Sequence, residues 1–284
     1  MYNRMKLLAG KKVFDKEFKT YFYPLTLDFI AEEFEEEILF LNPMNILSMD
    51  EYDLKFHADK IMDNSKDSAE PIKDLVLTRY QIIMIYIITG IREKNPESFL
   101  QLIKGFSIIF EKTFGSKFKF NMEEFTFTSK DKVIITKIIN SDGLVKTQLE
   151  DFLIINEDNF ERVCDSIKEV NGWNVGTNED KPEYNPINEK ARKIAEKLNK
   201  ARKKIQNLKA KDSSKDEVTL TDFISSYSTQ AKININEVYG TYTLFQFFMQ
   251  SARESLYFEY NTNIQAMLHG ASDVELKNWS KKIN

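Results

Sequence analysis

An aspartate and a histidine four residues apart, Asp53 and His57 in DEYDLKFHADKIMD, would share one face of a helix. A carboxylate beside an imidazole is the start of general acid–base chemistry, but it needs a third group and a nucleophile, and neither is nearby. A surface histidine next to an acid is the commoner meaning of such a pair. Just downstream, Asp63, Ser65, Asp67 and Asp74 follow part of a calcium-loop spacing. Ser68 stands where that loop needs glycine, and Asp74 where it needs a bidentate glutamate, so no calcium site is expected. The single cysteine, Cys164, cannot form an internal disulfide, and its only histidine companions are the distant His57 and His269. No G-x-S-x-G, H-E-x-x-H or C-x-x-C pattern occurs, and with nine glycines in 284 residues there is no glycine-rich phosphate loop. The chain is therefore expected to be no enzyme, to take no cofactor and to hold no metal.

The strongest chemical signal is charge. INEKARKIAEKLNKARKKIQNLKAKD, Ile187 to Asp212, has ten Lys or Arg and two Glu before Asp212, in a chain of net charge -4. Its apolar residues Ile187, Ala191, Ile194, Leu198, Ala201, Ile205 and Leu208 are spaced 4, 3, 4, 3, 4, 3, a heptad seam held for three heptads. Burying the large aliphatic members contributes roughly 1.5–3 kcal/mol each, against about 0–1 for exposed ion pairs. The seam, with Ile187, Ile194, Leu198, Ile205 and Leu208 as partner-binding residues, is thus expected to decide where this helix sits. Its basic face, including Lys193, Lys197, Lys200, Lys203 and Lys204, has three readings: docking on an acidic surface of this protein or a partner, phosphate contact, or an exposed helix that orders on binding. Single-strand binders interleave aromatics with their basic residues, and none occurs between Tyr184 and Phe223, which argues against nucleic acid.

These features need a fold to carry them. With 42% hydrophobic and 13% aromatic residues the chain can fill a core, and 30% charged residues give it a polar surface. The N-terminus has no apolar run of signal-peptide length, and the most apolar stretch, Leu75–Ile91, is interrupted by Thr78, Arg79 and Gln81, so it reads as a core helix with no membrane contact. The expected class is α+β, mainly α. Residues 1–115 read as helical: Phe29–Leu41 as one amphipathic helix with EEFEEE on its wet side, then helices at about 75–90 and 96–114, the last started by Asn95-Pro96 and stopped at Gly115. Residues 116–175 read as a small antiparallel sheet, with Asp142-Gly143 as a hairpin turn, followed by a helix burying Phe160, Val163, Ile167 and Val170. The basic heptad helix covers 185–211. In 218–284 the capping boxes Thr243–Gln246 and Ser272–Glu275 frame a helix of about 26 residues ending at Gly270, and a short helix with Leu276 and Trp279 closes the chain.

Two stretches carry a resemblance. NFERVCDSIKEVNGW with EYNPINEKARKIAEKL, and YTLFQFFMQSARESLYFEYNTNIQAMLHGASDVELKNWSKKIN, are similar to tail assembly chaperones and related tail morphogenesis proteins of tailed bacteriophages of Gram-positive hosts. The resemblance implies a non-catalytic role in the host cytoplasm, holding the tape measure protein soluble while tail subunits assemble. Phe245, Phe248, Met249, Leu256 and Tyr257 would form an apolar helix face, and Leu276 and Trp279 would cover it or anchor a partner. The other readings are a virion component of the tail or baseplate, and a nucleic-acid accessory protein working through the basic helix. Whether the seam pairs within one chain or between copies in a homo-oligomer stays open.

Overall fold

The computed structural model describes residues 2–50, 53–54, 57, 77–93, 96–139, 145–173, 219–270, 274, 276 and 278–280. The basic heptad stretch, the calcium-like spacing, Asn95, the Asp142-Gly143 turn and Ser272 of the second capping box lie outside them.

The N-terminal part is helical, as expected, but opens with a hairpin that the sequence did not announce. After α1 (Arg4–Leu8), strands β1 (Val13–Asp15) and β2 (Thr20–Phe22) pair antiparallel. Asp15 occupies an inward position where alternation calls for an apolar residue. It is buried yet satisfied, accepting from the Glu17 and Phe18 amides (2.8 Å each) and the Tyr2 hydroxyl (2.6 Å).

Phe29–Leu41 is not one helix. It divides into α2 (Leu27–Glu33) and α3 (Glu37–Ser48), with Phe34 and Glu36 in extended conformation between them. Five glutamates in six residues repel along a helix, and the break lets Phe34 turn inward against Phe40 while four of those acids stay exposed. Inside α3, Pro43 has no N–H to offer the Leu39 carbonyl. That carbonyl faces Gly105, where a Cβ would lie 2.7 Å from Leu39 O and 2.9 Å from Pro43 Cγ, so glycine lets the two helices touch backbone to backbone.

Helices α4 (Arg79–Arg92) and α5 (Pro96–Phe114) match the expected pair. Thr78 and Gln81 form a capping box at the start of α4, and Gly115 ends α5 at φ 69°. Arg79, read from sequence as an interruption of the apolar run, is buried. It donates to Met49 O (2.9 Å) and Asp165 (2.8 Å) and pairs with Glu161 (3.4 Å).

The expected sheet is two sheets. Strands β3 (Phe118–Asn121), β4 (Thr126–Ser129) and β7 (Ile154–Ile155) form one, in the order β3-β4-β7, and β5 (Ile134–Ile139) and β6 (Val145–Asp151) form a separate hairpin inserted between β4 and β7. Alternation finds strands but not which of them pair. Helix α6 (Glu157–Asn171) buries Phe160, Val163, Ile167 and Val170 completely, as expected, and stops at Gly172 (φ 62°). It packs on α3 and α4 as well as on β7.

The C-terminal helices α7 (Leu220–Ala231), α8 (Ile235–Thr241) and α9 (Leu244–Leu268) join the same core. Thr26 and Thr243 form a β-bridge, flanked by Leu27 N–H to Tyr242 O (3.0 Å) and Leu244 N–H to Leu25 O (2.8 Å). The buried Asn171 side chain accepts from Leu25 N–H (2.8 Å), so α6 holds this junction too. The Thr243–Gln246 capping box forms as expected, with bonds of 2.8 and 3.2 Å. α9 has 25 residues, and Gly270 beyond it stands at φ 94°. The closing short helix is absent where it can be seen: Leu276 has no regular structure and Trp279 lies in a turn. Among the described residues no helix is long and apolar enough to cross a membrane.

Candidate partner-binding surface

Helix α9 changes character along its length. Its first turn is core: Leu244, Phe245 and Phe247 are buried, and Phe248 sits edge-on to Trp173 at 5.4 Å, which in turn packs on Phe40. Met249 is partly buried, and its sulfur accepts from Arg4 (3.4 Å). Of the four aromatic and Met residues expected to bind a partner, Phe245, Phe248 and Met249 thus knit the C-terminal helices to the rest of the chain. Phe245 offers no surface at all while the fold is intact.

Beyond Met249 the helix emerges into solvent with its apolar residues uncovered. Tyr257 is 43% exposed, Phe258 63% and Leu268 81%, with Met267 also exposed. Sequence reasoning singled out Tyr257 but missed Phe258, Met267 and Leu268. The signal available was that apolar residues surround α9 on every side here, more than a one-sided core requires. Leu256 is half-buried, and Leu276 is exposed.

The fourth expected residue, Trp279, lies on this distal half. Its ring meets Tyr257 edge-on at 5.2 Å, and Arg253 Nη1 donates to the Trp279 carbonyl at 2.5 Å. Trp279 therefore lies against α9, its ring on that of Tyr257, while it stays 37% exposed itself. Exposed Tyr, Phe, Met, Leu and Trp side chains along the distal half of one helix have the composition of an interface.

The other chemical candidates do not converge. The Asp53 carboxylate accepts from Asp50 N–H (3.1 Å) and Asp50 returns the bond to Asp53 N–H (3.0 Å), so the acid caps a turn. Cys164 is fully buried, and burial holds its thiol well above the usual range despite the adjacent Arg79. No group of His, Cys, Asp or Glu among the described residues could hold a metal ion. A groove of about 520 Å³ lies between Tyr2, Asp15, Glu17, Arg162, Asp165 and Glu169, but its acids already have partners. Asp165 pairs with Arg79, Glu169 takes the Tyr2 amide (2.5 Å), and Glu17 pairs with Arg162. Burial and the Asp15 bond raise the Tyr2 phenol pKa, keeping it a neutral donor. The seam residues Ile187, Ile194, Leu198, Ile205 and Leu208 and the lysines of the basic face lie outside the described residues.

No curated protein and no solved structure matches the chain. Residues 209–284, which carry α7, α8, α9 and the terminal segment, match the family model described as the YomV second domain, a family of phage origin.

Proposed function

We propose that the protein is a phage tail assembly factor that acts by binding other tail proteins, the tape measure protein first among them, without catalysis. The observation that carries this reading is the exposed apolar distal half of α9, with Tyr257 against Trp279 and with Phe258, Met267 and Leu268 uncovered along it, inside the segment that matches a phage-derived family. A holding factor needs adaptable apolar contacts for a long helical client, and Met and aromatic side chains supply them with little shape demand. The buried first turn of α9 fixes the helix to the body, leaving the distal turns to present these residues.

The test is a pull-down of tagged protein from infected cells, washed at high salt and treated with nuclease, alongside the composition of finished particles. Recovery of a long helical tail protein, lost in Phe258→Asp/Leu268→Asp and with this chain absent from particles, supports the assembly role. Retention in particles points to a virion component, and loss of every partner under nuclease overturns the protein-binding reading.

A further inference from the structure

A second surface is formed where α2 meets α7 and α8. Between α2, α7 and α8 is a cavity of about 230 Å³ whose apolar lining includes Leu27, Ile30, Phe34, Leu220, Ile224 and Tyr239. Ligand pockets for small molecules run to roughly 300–1,000 Å³, so this one suits one or two aliphatic side chains. Its rim is acidic. Glu35 and Glu37 line it, and Glu32 and Glu33 at the end of α2 and Glu36 in the α2–α3 break, next to them in sequence, are exposed. Glu37 is already engaged within the lining, its carboxylate accepting from Leu220 N–H and from the Thr221 hydroxyl (3.1 Å), which pins the start of α7 against α3.

Apolar floor and anionic rim together select a segment that is apolar on one side and cationic on the other. The chain carries one such sequence, Ile187–Lys211, with ten Lys or Arg, two Glu and the aliphatic series Ile194, Leu198, Ile205 and Leu208. It is also tethered to the site. Leu208 and the cavity-lining Leu220 are separated by a connection that reaches at most roughly 40 Å when extended, so the local concentration of this segment at the rim exceeds that of any diffusing competitor. We propose that the cavity between α2, α7 and α8 is the docking site of the chain's own basic stretch, an aliphatic side chain entering the cavity while its lysines meet Glu33, Glu35 and Glu36. This surface is distinct from distal α9 and stands whether or not that helix binds tail proteins.

The experiment is timed trypsin digestion of the full chain at about 50 mM and 500 mM salt, following cleavage between Lys190 and Lys211 and normalising to a free peptide of sequence 187–211. Exposed ion pairs are worth about twofold each and are screened by salt, so cleavage of the stretch should be roughly fivefold to tenfold slower at low salt. Glu33→Gln/Glu35→Gln/Glu36→Gln should abolish the salt dependence, and Ala31→Trp, which closes the cavity mouth, should abolish the protection, both with unchanged thermal unfolding. Equal cleavage in wild type and both variants at both salts overturns the proposal. Protection that grows with protein concentration overturns docking within one chain and assigns the cavity to a second copy.

Discussion

Replacing Gly105 by alanine tests the packing of α3 on α5, because two opposing effects can both be given a size. Alanine is the better helix former by about 1 kcal/mol, so on propensity alone the change should stabilise α5. Against this, the added Cβ would stand 2.7 Å from Leu39 O and 2.9 Å from Pro43 Cγ, closer than carbon approaches either atom. Neither neighbour can swing away. One is backbone in α3 and the other a proline ring, and the surrounding Phe106 and Phe110 are fully buried. Relief requires the helices to separate by several tenths of an ångström across a close-packed interface, and overpacking of this kind costs about 1–3 kcal/mol. The difference is a net loss of roughly 0–2 kcal/mol, centred near 1. Gly240 is the internal control: it lies in α8 with nothing within 4 Å of its would-be Cβ, so Gly240→Ala should raise stability by about 0.5 kcal/mol. Urea titration followed by far-ultraviolet circular dichroism gives both values, and the melting temperature of the Gly105 variant should fall by about 2 °C. Gly105→Ala as stable as Gly240→Ala would refute the argued contact between the Leu39 carbonyl and α5.

Other outcomes follow from the same geometry. Arg79→Met should cost about 2–3 kcal/mol in urea titration, mostly through the unsatisfied Met49 carbonyl, since the partner acids remain partly exposed and are not stranded. Phe247→Ala, at a fully buried site, should cost about 3–5 kcal/mol. The Tyr227 phenol is raised by burial and by its bond with Tyr242, so the folded state holds that proton more tightly than the unfolded chain. The stability from this group is complete below pH about 10, where the unfolded phenol titrates, and falls as pH rises further; Tyr227→Phe should flatten that fall in alkaline unfolding curves. Cys164, buried with a raised thiol pKa, should react with a thiol reagent at least about a hundredfold faster in denaturant than in the native protein.

Much of the fold was legible because it is written in local grammar. The Thr243–Gln246 box, the stops at Gly115 and Gly270, and the four-residue apolar face of α6 each depend on a few neighbouring residues, and each stands where it was read. What failed was long-range. Asp15 looks like a turn or surface residue until Tyr2 closes over it, Arg79 looks like a blemish in an apolar helix until Asp165 arrives from 86 residues away, and nothing local shows that β7 will join β4. Of the residues named for the candidate surface, Tyr257 and Trp279 are exposed in the structure, whereas Phe245 is core, because heptad spacing does not show where along α9 the body of the protein ends.

The bridge between Thr26 and Thr243 also bears on how the chain is born. Its two halves are 217 residues apart, so Leu25 and Leu27 leave the ribosome long before their backbone partners exist. At roughly 5–20 residues per second that wait is about 10–40 s, during which the apolar side chains now closed by α9 have no lid. Loop closure over such a span is slow compared with helix formation, so the α3–α5–α6 body can assemble first and the C-terminal helices dock last. A ribosome stalled before residue 242 should therefore hold a chain that is compact, sticky and dependent on the cell's folding machinery, and release from that dependence should come with synthesis of α9.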